Sequence, residues 1–372
     1  MFDKIGNSGY KMKILHCIPN MKGGGAERQL TYLCKGLVSN GMEAHVALCD
    51  GGANMERLND CGAVVHKLSS RHNHDVRVLL QLVKLIKKIR PNIIQTWLRQ
   101  MDVLGGLAAI ITSVPLIISE RNSEMAYYRS WKHLLRALVG KKAAAVIANS
   151  GDGKRYWEKK TTPTVLKKVI RNMVPFDEIE KAGQDKLETD FDAKTRLIVS
   201  IASFTPQKNL LTMLRAFEVV MGRTDNVFAL IFGQGSLQKE LLGLQEKLGL
   251  NRRVKFMGFT AKVYAWLKRA DVSVLVSHYE GNPNAVLEAI ACKCPIVVSD
   301  ICSHREFLDD SCAFFASTSD KYNIADQICR ALFNKKEAEK KSNEAHNRIL
   351  NLSIETIAQQ YITTYQQVIS PS

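Results

Sequence analysis

The sequence predicts an α/β protein built from two doubly wound parallel-sheet domains. Three observations carry the prediction: the length, two separate series of strand–helix–strand alternation, and a polar break between them. At 372 residues the chain exceeds what one ordinary core organises. Apolar residues make up 46% and charged residues 24%, a globular rather than a disordered composition.

The first series opens with an apolar strand, Lys13 to Ile18. A glycine loop, Gly23-Gly24-Gly25, follows it. A helical pattern then runs from Ala26 to Val38, with Leu30, Leu33, Cys34 and Leu37 at helical spacing. Gly41 stands where a helix stop belongs, and Glu43 to Leu48 reads as the next strand. This order implies a parallel pair joined by a right-handed crossover. Val78 to Ile89 reads as a basic amphipathic helix ended by Pro91, and short buried strands follow at Ile93 to Thr96, Leu116 to Ser119 and Ala144 to Ala148.

Asn172 to Asp177 reads as a linker, and the polar, acidic stretch to Lys194 offers few apolar anchors. The second series has strands at Leu197 to Ala202, Val227 to Phe232, Val254 to Met257, Val272 to Val276 and Ile296 to Ser299, where the run closes. Helices lie between them at Leu210 to Val220, Leu237 to Leu248, Tyr264 to Arg269 and Ala285 to Cys292. The boundaries are therefore a first domain over 1–172, a linker over 173–194 and a second domain over 195–353. An amphipathic helix from Ile354 to Ile369 is a candidate to cross back to the first domain. Ligands of such folds bind at the carboxyl ends of the strands.

The longest apolar stretch, Leu104 to Ile118, holds Thr112, Ser113 and Pro115 and falls short of the roughly 20 residues of a spanning helix. The first residues show no apolar region ahead of a cleavage site. Nine cysteines, an odd number, suit reduced thiols in a cytoplasmic protein. Cys292, Cys294, Cys302 and His304 lack zinc-site spacing and are expected to be structural.

Charge is distributed unevenly. Residues 1–172 hold 28 Lys and Arg against 12 Asp and Glu, whereas residues 173–372 hold 24 of each. The segment 121–172 alone carries 13 basic and 3 acidic side chains. Such a field attracts polyanions or an anionic membrane surface. Within it, Tyr127 to Lys142 reads as one amphipathic helix. Tyr127, Trp131, Leu134, Leu135 and Leu138 line one face, surrounded by Arg129, Lys132, Arg136, Lys141 and Lys142. The apolar face is expected to pack into the core. Aromatic and basic residues on such a helix also suit a membrane interface. No helix-turn-helix, zinc-finger or RNP-like element accompanies the charge, so a nucleic-acid partner is not expected. The first loop lacks the G-x-G-x-x-G spacing of a dinucleotide site.

The segment from Glu280 to Glu288 (EGNPNAVLE) follows a buried strand and opens a helix. Two carboxylates flank a turn whose free amides sit at a helix N-terminus, a pairing suited to hydroxyl groups and phosphate. In order along the chain stand Gly23 to Glu27, Pro206 to Asn209, Phe232 to Gly235, Val254 to Gly258, Asp271 to Glu288 and Pro295 to Asp300. Together these resemble the retaining GT-B glycosyltransferases, most closely the large family 4, over nearly the whole chain. The resemblance implies two Rossmann-like domains facing a central cleft and a nucleotide-sugar donor carrying a hexose or N-acetylhexosamine, UDP-linked, with a GDP-sugar as the alternative. It gives Glu288 the ribose hydroxyls, Glu280 the sugar hydroxyls, and Lys208 the departing diphosphate. Asn282, Pro283 and Asn284 would hold sugar and phosphate. Gly24 and Gly25 would let the first domain approach the diphosphate, and Gly233 and Gly235 would belong to the donor site.

Two positions depart from the family pattern. An arginine is usual five residues before the lysine, and Ser203 stands there. A histidine is common after a strand of the first domain, and Arg121 stands there, a candidate to supply the missing charge; the alternative reading of the departure is a catalytically weak or inactive protein of the same fold. No metal and no cofactor besides the donor are expected. The one D-x-D, Asp190 to Asp192, lies before a strand rather than after one. The Ser119-Glu120-Arg121-Asn122 segment resembles enzymes of bacterial surface-polysaccharide or lipid-linked oligosaccharide assembly. That implies a glycan acceptor on an isoprenoid diphosphate, met at the inner face of the cytoplasmic membrane.

Overall fold

A computed structural model of the chain describes residues 11–72, 75–127, 131–182, 187, 192 and 195–370. The chain divides into an N-terminal unit, Met1–Met173 with Ile354–Ser372, and a C-terminal unit, Val174–Ser353.

The N-terminal unit runs β1 Lys13–Cys17, α1 Gly25–Ser39, β2 Glu43–Leu48, α2 Met55–Asp60, β3 Val64–Lys67, α3 Arg77–Ile89, β4 Ile93–Trp97 and α4 Leu98–Thr112. It continues with β5 Leu116–Glu120, α5 Trp131–Gly140, β6 Ala145–Ala148, α6 Gly151–Glu158 and β7 Leu166–Val169. The seven strands are parallel, in the order β3-β2-β1-β4-β5-β6-β7. The central strands β1, β4 and β5 are buried almost throughout because helices cover both faces of a parallel sheet; each combines apolar residues with buried polar ones, His16, Gln95, Thr96, Ser119 and Glu120, towards its carboxyl end. Leu15, Val78, Leu82, Ile94, Ile118 and Trp157 form the middle of this core. Leu104 to Ile118 is thus not one segment but the end of α4, a turn with Ser113 at φ 55°, and β5. Among the described residues no helix is long and apolar enough to cross a membrane.

The C-terminal unit runs α7 Phe176–Lys181, β8 Arg196–Ile201, α8 Leu210–Arg223, β9 Val227–Phe232, α9 Gln238–Lys247, β10 Val254–Gly258, α10 Val263–Arg269 and β11 Val272–Leu275. It continues with α11 Asn284–Ala291, β12 Ile296–Ser299, α12 Cys302–Arg305, β13 Phe314–Ala316, α13 Lys321–Phe333 and α14 Lys335–Ile349. Six parallel strands lie in the order β10-β9-β8-β11-β12-β13. The sheet extends one strand beyond Ile296–Ser299, since β13 pairs with β12 from Phe314 to Ala316. Ile198, Phe217, Ile231, Val274, Val297 and Ile328 are buried at the centre of this second core.

The last helix, α15 Ile354–Ile369, packs on α1 of the N-terminal unit. Gly36 makes this possible, because a Cβ there would stand 2.5 Å from the Ala358 methyl carbon. The Tyr365 hydroxyl donates to Gln95 on β4, and the Lys168 ammonium donates to Gln367 at 2.6 Å.

The fold overturns the expectation for the helix near residue 135. Trp131, Leu134, Leu135 and Leu138 are 63%, 64%, 39% and 50% exposed, whereas His133, Arg136 and Val139 are buried. Arg136 is therefore not one of the solvated charges around the apolar face. Its guanidinium donates to Asp102 on α4 at 2.7 Å and to Glu120 on β5 at 2.9 Å. Two buried carboxylates need a cation, and the helix is seated to supply it. Arg129 lies outside the described residues.

Candidate active site

In each sheet the strand order reverses beside the first strand, and doubly wound folds place ligands at the carboxyl ends of the strands there. In the C-terminal unit that point lies between β8 and β11, which pair directly through Ile198 with Val272 and Val199 with Ser273. The loop after β8 brings Ser203 to Asn209, and the loop after β11 brings Ser277 to Pro283.

Lys208 and Glu280 meet there. The Lys208 ammonium donates to Glu280 Oε1 at 2.6 Å, and both side chains are largely buried. Ser277 Oγ donates to the same carboxylate oxygen at 2.7 Å, and Gln207 donates to Tyr279 O at 2.9 Å. Asn209, at φ 55°, anchors the loop after β8: its amide donates to Val276 O, just past β11, at 3.0 Å and to Thr318 O, past β13, at 2.7 Å. Asparagine is among the few non-glycine residues that adopt the left-handed conformation readily. The pair is buried, so removing one partner would leave an uncompensated charge.

Pro283 is the N-cap of α11 and Asn284 its first residue, so the helix N-terminus lies at the end of the Ser277–Pro283 loop. Asn282 and Glu288 are buried. Behind this turn lies His304, fully buried. Its Nδ1 is 2.8 Å from Ser299 O, and Ser299 Oγ donates to Ser277 O at 2.7 Å. Burial holds the imidazole below its ordinary range, so it is neutral, donates through Nδ1 and keeps Nε2 as an acceptor. The hydrogen bonds of Ser299 and Ser277 connect it to the Glu280 carboxylate.

Gly233 and Gly235 serve backbone packing. At Gly233, φ is 139° and a Cβ would lie 1.9 Å from Ala202 O. At Gly235 a Cβ would lie 2.5 Å from Phe204 O. Only glycine lets this turn press on the loop after β8. Phe204 N donates to Gln234 O at 2.9 Å, which sets the position of the neighbouring Ser203. Ser203 is exposed, with its hydroxyl 3.5 Å from that of Thr205.

In the N-terminal unit, the Gly23–Gly25 loop leads into α1, with Gly24 as its N-cap. A Cβ on Gly24 would stand 2.2 Å from the Glu27 carboxylate, which folds back over the loop. Burial raises the pKa of Glu27. Arg121 follows β5. It donates to Asn172 at 3.2 Å and to the Tyr361 hydroxyl at 2.6 Å, and its guanidinium lies 4.3 Å over the Trp97 ring. Beside it is a cavity of about 550 Å3. Leu98, Val103, Leu104, Trp131 and Leu135 form its apolar walls, and Arg99, Arg121 and Arg136 are its cations. Its volume is within the range of small-molecule sites.

Among the described residues no group of three or more His, Cys, Asp or Glu is placed to hold a metal ion. Asp190 and Phe191 of the D-x-D lie outside the described residues.

Two family models divide the chain between them. The model of glycosyltransferase family 4 matches residues 23–178, and that of glycosyl transferases group 1 matches residues 183–348. The chain belongs to this glycosyltransferase family.

Similar proteins agree with that assignment. One is the N-acetylgalactosamine-N,N'-diacetylbacillosaminyl-diphospho-undecaprenol 4-alpha-N-acetylgalactosaminyltransferase of Campylobacter jejuni. It is 26% identical over 76% of this chain and 79% of its own length. The UDP-Gal:alpha-D-GlcNAc-diphosphoundecaprenol alpha-1,3-galactosyltransferase of Escherichia coli is 27% identical over 61% of this chain. The match spans 62% of that protein, less than two thirds of it. The crystal structure of Anabaena HepE in complex with UDP and glucose superposes with a TM-score of 0.83 at 20% identity, covering 96% of this chain and all of that one. The fold of this glycosyltransferase is therefore GT-B.

Of the residues singled out in sequence, the structure brings Lys208 and Glu280 into contact and sets Asn282, Pro283, Asn284 and Glu288 on the same loop and helix. It places Gly24, Gly25 and Arg121 in the other unit. Ser277, Asn209 and His304 organise the site but were not among its candidate residues. Asn209 directly follows the lysine, and His304 drew notice only beside Cys302.

Proposed function

We propose that this glycosyltransferase retains anomeric configuration. It moves a hexose or N-acetylhexosamine from a UDP-sugar to a lipid-linked glycan acceptor in bacterial surface-polysaccharide assembly. The observation that carries this reading is the Lys208–Glu280 pair at the switch point of the second sheet. In the transfer, the bond from the sugar C1 to the UDP oxygen breaks and its electron pair leaves with UDP. A new bond joins C1 to an acceptor hydroxyl oxygen, whose proton passes to the departing phosphate on the same face. Negative charge grows on the diphosphate, and a fixed ammonium with a helix N-terminus stabilises it without reorganising. Lys208 turns from Glu280 to the phosphate, which releases Glu280 to accept hydrogen bonds from the sugar. Glu288 holds the ribose, and the Asn282–Asn284 turn supplies donors.

The UDP and glucose in the HepE complex support the base, and the names of the two relatives support a diphosphate-lipid acceptor. We place the reaction at the inner face of the cytoplasmic membrane. Lys208 and the α11 N-terminus supply the cationic charge, so we assign no metal, and turnover is expected to survive EDTA. Strict dependence on added manganese would overturn that assignment. Arg121 is assigned the charge that Ser203 does not provide. Arg121→Ala is expected to abolish turnover with the fold intact, and near-normal turnover would remove it from the site.

Thermal stabilisation by UDP, GDP and their sugars tests the donor site. A selective shift with UDP or one UDP-sugar is expected in the wild type and not in Glu288→Ala. A shift with GDP alone would replace the base, and none at all would overturn the site. Lys208→Ala is expected to lower kcat by about 10²–10³-fold, as removal of a charge-stabilising donor does.

A further inference from the structure

Helix α5 is seated with its apolar side outward. Trp131, Leu134, Leu135 and Leu138 share one face by their spacing and are all exposed, and Met125 ahead of the helix is exposed as well. Contiguous exposed apolar residues mark an interaction surface. Lys141 and Lys142, just past the end of the helix, are exposed too. Trp131 and Leu135 also line the 550 Å3 cavity, so the cavity adjoins the exposed face of the helix. Of the three arginines in that cavity, Arg121 is bound to Asn172 and Tyr361, and Arg136 to Asp102 and Glu120. Arg99 lies 3.0 Å from His133 Nε2, and burial holds that imidazole below its ordinary range, hence neutral. Arg99 makes no ion pair with a carboxylate among the described residues; Glu120, which also lines the cavity, is bound to Arg136. Leu98 beside it sits at φ 65°, a left-handed conformation that leucine rarely adopts and that functional sites retain.

We propose that α5 docks the N-terminal unit on an anionic lipid bilayer. Trp131, Leu134 and Leu138 bed below the headgroups, Lys141 and Lys142 meet lipid phosphates, and a phosphate-bearing lipid of the same surface enters the cavity towards Arg99. Charge selects this occupant. Arg99, Lys141 and Lys142, exposed basic residues beside the apolar face, would meet like charge on a second copy of the chain, whereas anionic headgroups bring the opposite charge. Only the identity of the lipid in the cavity rests on the acceptor proposed above; the docking itself does not.

Co-sedimentation of the full chain with vesicles of phosphatidylcholine, with or without about 30% phosphatidylglycerol, tests the docking. Binding to the anionic vesicles is expected, weakened roughly tenfold or more by Leu134→Glu with Leu138→Glu, and weakened less by Lys141→Gln with Lys142→Gln. Both leucines are exposed, and the double variant should keep the wild-type melting temperature and UDP-induced shift. Absence of wild-type binding, or equal binding by the leucine variant, would overturn the proposal. So would a dimer in sedimentation velocity that the leucine variant dissociates. Geranyl diphosphate serves as a soluble probe of the cavity: its thermal shift should be lost in Arg99→Ala and kept in the leucine variant. An unchanged shift in Arg99→Ala would remove the cavity from the proposal. Vesicle binding without glycosyl transfer would leave the docking standing while refuting the lipid-linked acceptor, so the two failures are distinguishable.

Discussion

Helices α3 and α5 have the same kind of sequence and opposite seating. Both alternate leucines with basic residues at helical spacing. In α3 the outcome follows the pattern: Val78, Leu82 and Ile86 are buried, while Lys84, Lys87 and Lys88 face solvent. In α5 the leucines face out, and Arg136 with His133 faces in. The difference lies in what each helix covers. The buried residues of α3 join an apolar cluster with Leu15, Ile94 and Met101. Beneath α5 lie Asp102, which accepts from Thr96 Oγ1 at 2.7 Å, and Glu120, which accepts from Trp157 Nε1 at 2.9 Å and from the Tyr127 hydroxyl. Burial raises the pKa of Asp102, and Arg136 opposes that rise. Burial likewise disfavours the Arg136 cation, but Glu120, Tyr127 and Asp102 outweigh it and raise its pKa. The guanidinium also stacks over the Tyr127 and Trp157 rings at 5.1 and 4.8 Å. Two uncompensated buried carboxylates would cost several kcal/mol each, whereas the outward leucines, only partly exposed, each forgo a fraction of the roughly 1.5–3 kcal/mol of full burial. Amphipathic spacing therefore fixes which residues share a face, while the partner surface decides which face turns inward.

The largest expected effect comes from removing the cation. Arg136→Leu leaves Asp102 and Glu120 buried without it and should cost about 3–5 kcal/mol in urea denaturation. Adding Asp102→Asn and Glu120→Gln should recover part of that loss. A mild effect of Arg136→Leu alone would break the comparison, because α5 would then owe its seating to something else.

Next come the leucines themselves. Leu82→Ala in α3 should cost about 2–5 kcal/mol as a core truncation. Leu134→Ala in α5 should stay within about 0.5 kcal/mol, as exposed substitutions do. Equal losses at the two positions would mean that the outward face of α5 is covered.

The smallest effect is a pH dependence confined to α5. Burial, then Arg99 and Arg136, hold His133 below the usual histidine range, with Glu120 pulling the other way and the Tyr127 ring packed 5.0 Å away. Its folded pKa lies below its unfolded value, so the neutral form is the one the fold accepts. The corresponding stability is complete above pH about 6.5 and declines as pH falls towards the folded value. Amide exchange in α5 should quicken over that range. In α3, whose buried side chains do not titrate, it should not, and parallel behaviour would assign the pH effect elsewhere.

Much of the architecture is legible in the sequence because parallel strands buried on both faces are rich in consecutive apolar residues. The misses have physical causes. The edge strand β3 is partly exposed and lacks such a run, and β13 has only three residues. The orientation of α5 was not legible because the carboxylates that set it lie 34 and 16 positions from Arg136. The same limit governs the candidate site. Glu280 to Glu288 is visible as a local motif. The contact between Lys208 and Glu280, 72 residues apart, exists only once the sheet order places β8 beside β11. Nothing local to His304 distinguishes a buried neutral imidazole from a solvated one.

The docking of α15 on α1 sets an order on biogenesis. Tyr361 and Tyr365 are fully buried in the N-terminal unit, where they accept from Arg121 and donate to Gln95. All of Val174–Ser353 lies between these tyrosines and the rest of their unit. A ribosome making this chain must therefore deliver every strand of the second sheet before the first unit can close, and the contiguous second unit is free to fold ahead of it. Meanwhile the nascent first sheet carries an open flank at Gln95 and Arg121. That is the stage at which a chaperone would find the most to hold.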